Sequence, residues 1–109
     1  MIFICKEDFF AKAAECERLT RESEKAYALQ MRAGDGAARE KIICSYLPVA
    51  AAFVRKCCHD MQTLELIYRV MDSLEKAADA FDFQQESETF LHRLGTVFRV
   101  TLTRYIADL

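Results

Sequence analysis

One proline and three glycines in 109 residues leave too few turn residues for an all-β fold. The five cysteines, at 5, 16, 44, 57 and 58, contain no Cys-x-x-Cys, and their number is odd. They read as small hydrophobes of a reduced, soluble, cytoplasmic protein. The opening "MIFIC" is a short apolar start followed at once by Lys-Glu-Asp, unlike a secretory segment. The longest near-continuous apolar run, "YLPVAAAFV", is far too short to span a bilayer, so no membrane partner is expected. Neither sign of charge prevails: 15 basic residues face 17 acidic ones, for a net charge of −2. That is not the electrostatic footprint of a protein that grips duplex DNA alone. A local basic patch can still outweigh the sum. The chain holds no internal repeat, low-complexity segment or linker.

What is present points to helix. Apolar residues make up 52%, which excludes a disordered chain. Ala, Leu, Glu, Lys, Arg and Met are abundant, and these favour helix. The length fits one domain, residues 1–109, with a modest core. "KEDFFAKAAECERL" sets Phe9, Phe10, Ala13 and Ala14 on one helical face. Thr20 offers a cap for "RESEKAYALQMRA", with Glu22 and Glu24 near the positive end of its dipole. In "MRAGDGAAREKIICSYLP", Gly34 suits the left-handed residue past a helix end, and Asp35 can cap the next helix. Pro48 fits the first turn of a restart, where its missing N–H costs nothing. "PVAAAFVRKCC" carries Leu47, Ala50, Val54 and Cys57 at helical spacing.

After "HDMQT", read as a short loop with Thr63 as cap, comes the clearest helix. Leu64, Ile67, Met71, Leu74, Ala78 and Phe81 form one continuous stripe. Glu65–Arg69 and Asp72–Lys76 can pair at i, i+4 on its wet face, each adding ~0.2–0.5 kcal/mol. "DFQQES" reads as a polar loop. A last helix runs from about Glu88 to Ala107, with Phe90, Leu91, Leu94, Val97, Phe98, Leu102 and Tyr105 on a broad apolar face. Gly95 inside it costs about 1 kcal/mol relative to Ala and marks a close approach or a bend.

Few residue groups suggest chemistry. Cys57-Cys58-His59-Asp60 resembles a ligand cluster, but adjacent helical residues diverge and no second ligand pair has zinc-site spacing, so no metal is expected. Arg55 and His59 share a face and would suit a small ribonuclease as phosphate clamp and general base. With no second acid or base and no phosphate loop, the expectation is no catalytic residue, no cofactor and no enzyme. Tyr68 sits off the apolar stripe, toward the charged side, where an aromatic can anchor an interface. On the last helix, at 100° per residue, Arg93 and Arg104 project nearly the same way and Arg99 about 120° from them. Beside Thr96 and Thr103 they could touch phosphates.

In order and spacing, three segments resemble bacterial RNA polymerase sigma factors, over their helical region two and the helix before it. These are "LTRESEKAYALQMRAGDGAAREKIICSYLPVAAAFVRK", "LELIYRVMDSLEKAADAFD" and "TVFRVTLTRYIAD". The Gly34-Asp35 turn, the Ser45-to-Pro48 restart and the Ala77-to-Asp82 run "AADAFD" carry the likeness. It begins near Leu19, which implies an N-terminal helix in 1–18 and a sigma region 2-like unit over 19–109. The implied fold is an all-α compact bundle of five to six helices. The implied partners are the β′ clamp helices of the RNA polymerase core and promoter DNA. The polymerase would be met through Glu65, Tyr68, Arg69 and Asp72. The DNA would be met through Phe90, Arg93, Arg99, Thr103 and Arg104, with a partner chain supplying the other sigma regions.

The family opens promoters by stacking flipped bases on exposed aromatics, worth ~1–3 kcal/mol per base. Here the family's two tryptophans align with Thr96 and Val97, and the chain has no tryptophan. A family tyrosine aligns with Arg93, a glutamine with Val100 and a glycine with Ser73. Tyr68, Arg69, Val70 and Met71 stand where polar residues and a glycine usually do. Arg99, Thr103, Arg104 and Phe90 match. The departures imply an alternative: a degenerate sigma-like module that binds polymerase or a regulator without melting DNA.

Overall fold

Gly34 has φ of 100°, the left-handed conformation that a glycine adopts without strain, and it ends one helix so that the next can start within two residues. Such local signals lay out the chain. A computed structural model describes residues 3–57, 60, 62–85 and 87–109. Among them are six α-helices and no strand. They are α1 (Lys6–Glu15), α2 (Arg21–Arg32), α3 (Gly36–Ser45), α4 (Leu47–Lys56), α5 (Leu64–Ala80) and α6 (Phe90–Ala107).

The expected caps form. Thr20 accepts from the Ser23 N–H, Asp35 from the N–H groups of Ala37 and Ala38, and Thr63 from Leu66. Each satisfies a donor that the first helical turn leaves without a partner, worth about 1 kcal/mol. Pro48 lies in the first turn of α4. The last helix begins two residues later than the pattern suggested, because Thr89 caps it by accepting from the His92 N–H.

α2 and α3 pack as a hairpin, α1 lies on α4 and α5, and α5 and α6 run together as the main contact of the bundle. α5 touches α1, α3, α4 and α6. It therefore buries Leu66 and Val70 beside Ile67, Met71, Leu74 and Ala78, a wider face than the single stripe anticipated. Full burial of each such aliphatic side chain is worth ~1.5–3 kcal/mol. Ala14 and Leu91, assigned to apolar faces from spacing, are exposed instead.

An aromatic cluster closes one end of the core. Phe90 packs on Tyr46, Phe81 and Phe83, with ring centroids 4.8, 5.1 and 4.9 Å away. Phe83 comes from "DFQQES", so this polar-looking loop inserts one ring into the core. Gly95 marks no close approach: α6 continues unbroken through it, and the nearest atom to an added Cβ is an Arg99 guanidinium nitrogen 3.9 Å away. Buried Ser45 donates to the Ile42 carbonyl at 2.7 Å. No described helix is long and apolar enough to cross a membrane.

Candidate interaction face on the two long helices

The outer sides of α5 and α6 meet in an open groove of about 770 Å³. Its floor is apolar, from Ala77, Val97 and Val100, and beneath it the hydroxyls of Ser73 and Thr101 join the helices at 2.6 Å. Val100 is 48% exposed, so an apolar side chain lies open in the middle of the face. Arg69, Asp72 and Lys76 line the α5 side, and Arg93, Thr96 and Arg104 the α6 side. Arg93, Val100 and Arg104 are seven and four residues apart, which returns each to nearly the same side of the helix. The groove thus unites two residues proposed for polymerase with two proposed for DNA.

Most of its cations have partners. Arg69 bonds Asp108 at 2.8 Å and Glu65 at 3.2 Å, and its guanidinium lies 5.3 Å from the Tyr105 ring centre. Lys76 pairs with Asp72 at 2.9 Å, as the i, i+4 spacing predicts. Arg93 pairs with Glu88 at 2.9 Å, and that guanidinium holds the Glu88 carboxyl below its ordinary range. These pairs are solvent-exposed, so an incoming carboxylate or phosphate can displace them at little cost. Arg104 makes no ion pair with any described residue, which leaves it as the groove's unengaged cation.

The remaining predicted positions fall elsewhere. Arg99 is exposed on the shoulder of α6, outside the groove. Thr103 is exposed, and its hydroxyl donates to the Arg99 carbonyl at 2.9 Å within the helix. Tyr68 is 38% exposed, yet its hydroxyl is engaged: it donates to the Phe3 carbonyl and accepts from the Phe3 N–H. It pins the N-terminal segment across α5 and presents only part of its ring outward.

Phe90 is a correction. It is 1% exposed and surrounded by Tyr46, Phe81 and Phe83, so it has no open face to offer a base. The helix needs an apolar side chain there to seal the core beside the Thr89 cap. The other aromatics of α6, Phe98 and Tyr105, are buried too.

Sequence reasoning did not link Asp108 or Tyr105 to Arg69, because contacts 39 and 36 residues apart leave no local signal. The helical angle between Arg93 and Arg104 was the one legible sign of the groove. Cys58 and His59 lie outside the described residues, and with them the ligand-like run and the Arg55–His59 pair. Arg55 itself stacks over the Phe10 ring, 4.7 Å from its centre. Among the described residues, no three His, Cys, Asp or Glu side chains gather as a metal site would require.

These features define an all-α helical bundle with an exposed, basic-rimmed groove between its two longest helices. No protein-family model matches the chain, and no curated protein matches it in sequence.

Proposed function

We propose that this chain is a sigma-like region two module that docks on the RNA polymerase core of bacteria and contacts promoter DNA only through phosphates. It works in the cytoplasm as a binding protein, without catalysis or a cofactor. The observation that carries the reading is the uncovered groove, where Arg69 and Asp72 of α5 face Arg93 and Arg104 of α6. α1, packed on α4 and α5, leaves the arginine side of α6 open to solvent. α5 would meet the β′ clamp helices through Glu65, Arg69 and Asp72, with Tyr68 at the edge. Arg99, Thr103 and Arg104 would hold the DNA backbone, and Arg93 would join them when Glu88 releases it.

A specific observation favours the non-melting form of this reading over a full initiator. Among the described residues, α6 exposes no Phe, Tyr or Trp ring. Arginines hold phosphates, but without an open Phe, Tyr or Trp ring they do not trap a flipped base. The face therefore supports attachment and positioning, and strand opening would need a partner chain.

Purified core polymerase tests this directly. The chain should be retained on immobilised core at low salt, and the double variant Arg69→Glu, Asp72→Arg should be released. A fluorescent promoter-melting assay should show no signal above core alone. Arg104→Ala should lower the salt dependence of DNA binding by about one unit of log–log slope. No retention at low salt ends the docking reading. Robust strand opening by the chain would replace the non-melting form with the initiator form.

A further inference from the structure

A second face of α6 belongs to no part of the groove. At 100° per residue, Leu91, Gly95, Leu102 and Ile106 project within about 60° of one another, and Val100 of the groove floor projects the opposite way from Leu91. Leu91 is 45% exposed and Ile106 48%, while Gly95 and Leu102 are half-buried. Phe98 shares this direction and meets Phe53 of α4, with ring centroids 5.3 Å apart. α4 and α6 both pack on α5 but not closely on each other. Half-buried Phe53 and Leu102 therefore extend the outer apolar strip of α6 toward α4.

We propose that this strip docks an acidic amphipathic helix of a partner protein, which crosses α6 at Gly95. Charge selects that occupant. α4 and α6 contain no Asp or Glu and carry Arg55, Lys56, Arg93, Arg99 and Arg104, although the whole chain is net negative at −2. Lys56, three residues after Phe53, and Arg99, one turn after Gly95, are exposed at the borders of the strip. Neither makes an ion pair with any described residue. A helix whose apolar stripe lies on Leu91, Leu102 and Phe53 meets these cations at its flanks, where carboxylates complement them. A second copy of this chain, laid strip to strip, would set the same cations against each other, and like charges so placed cost affinity.

Gly95 gives the second, independent reason. It costs the helix about 1 kcal/mol relative to alanine, and nothing inside the fold requires it. An added Cβ would meet only an Arg99 guanidinium nitrogen, 3.9 Å away. The missing side chain leaves a dip in the strip between Leu91 and Leu102. Such a dip lets the backbone of another helix approach closely, which an alanine or leucine would prevent. The Arg99 guanidinium beside the dip fixes where one carboxylate of the partner falls. Docking there engages Arg99, one of the proposed phosphate contacts, and leaves the α5–α6 groove open. Leu91, Gly95, Leu102 and Phe53 have no part in the polymerase reading, so the two stand or fall separately.

Two synthetic helical peptides with the same leucine stripe, one flanked by glutamates and the other by lysines, test this on the full chain without polymerase. Calorimetric titration should show the glutamate peptide binding at least about tenfold tighter than the lysine peptide. On its addition, methyl resonances of Leu91 and Leu102 should shift, and those of Val97 and Val100 should stay. Gly95→Leu, with its fold checked by circular dichroism, should weaken binding by about tenfold or more. Arg99→Glu, an exposed change that leaves the core alone, should reverse the preference between the two peptides. Equal affinity for both peptides, no binding of either, shifts confined to the groove, or undiminished binding by Gly95→Leu would overturn the proposal. Preferential binding to phosphatidylglycerol vesicles, or a dimer of the chain that Gly95→Leu abolishes, would overturn it too.

Discussion

Replacing Phe90 by alanine separates a core residue from a base-stacking one. The ring is 1% exposed and meets three other rings with centroids within 5.1 Å. Truncating a buried Phe costs ~3–5 kcal/mol in transfer and cavity terms. The edge and tilted ring contacts, ~0.5–1.5 kcal/mol each where they are lost, place it toward the upper end of that range. Taking ~4 kcal/mol and a urea slope of ~1.5 kcal/mol/M, the midpoint falls by ~2.7 M. That is a large share of the ~5–15 kcal/mol by which such domains are stable. Urea unfolding followed by circular dichroism measures it. Phe90→Leu, which keeps most of the volume, should lose less than ~1.5 kcal/mol. It should leave single-stranded DNA affinity unchanged, whereas loss of a stacking ring would weaken binding by ~1–3 kcal/mol per base. A midpoint shift below ~0.5 M for Phe90→Ala, with loss of strand binding for Phe90→Leu, would refute the burial argument.

Gly95→Ala should stabilise the chain by ~0.5–1 kcal/mol, since the helix is regular there and the new methyl meets only an Arg99 nitrogen at 3.9 Å; a lower melting temperature would reveal a clash. Tyr68→Phe removes both hydrogen bonds to Phe3 and should cost about 1–2 kcal/mol. Hydrogen exchange of the Phe3 amide should accelerate more than that of the α5 amides. Asp79 bonds Arg39 at 2.8 Å, which holds its carboxyl below the ordinary 3.8. A depressed folded pKa adds stability that is fully present above the unfolded pKa and is lost as pH falls through the folded value. Asp79→Asn should therefore cost less than ~1 kcal/mol at pH 7, because the pair is partly solvated. It should flatten the stability loss below about pH 4, and equal acid sensitivity in both proteins would contradict this.

The helices were legible because their signals are local. Thr20, Asp35 and Thr63 cap where an oxygen precedes an amphipathic run, and Gly34 and Pro48 mark one end and one start. Periodicity located the buried side of α5 but underestimated its width, since it does not count how many neighbours surround a helix. It also assigned Leu91 to the core and left Phe83 in a polar loop. Chain reversals between elements decide such boundary residues, and no repeat of 3.6 residues extends through a loop. For the candidate face, the shared direction of Arg93 and Arg104 was readable from helical angle alone. Periodicity also put Phe90 on the apolar face with Leu94, Phe98 and Tyr105, while the resemblance put it at the DNA; packing on Tyr46, Phe81 and Phe83 decides for the core.

Amino-acid order alone determined that this chain is all helix, where most helices begin, and which residues pair across one turn, as Glu65 does with Arg69 and Asp72 with Lys76. These depend on backbone hydrogen bonds and neighbours within four residues, so the information is contained in a short window. Tertiary structure decided that α5 and α6 lie together with a groove between them. It decided that Asp108 reaches Arg69 and that Tyr68 is tied to Phe3. Those contacts join residues 39 and 65 positions apart. They exist only because burying the apolar faces together outweighs the entropy of closing the intervening chain, a balance struck by the whole core and by no single segment.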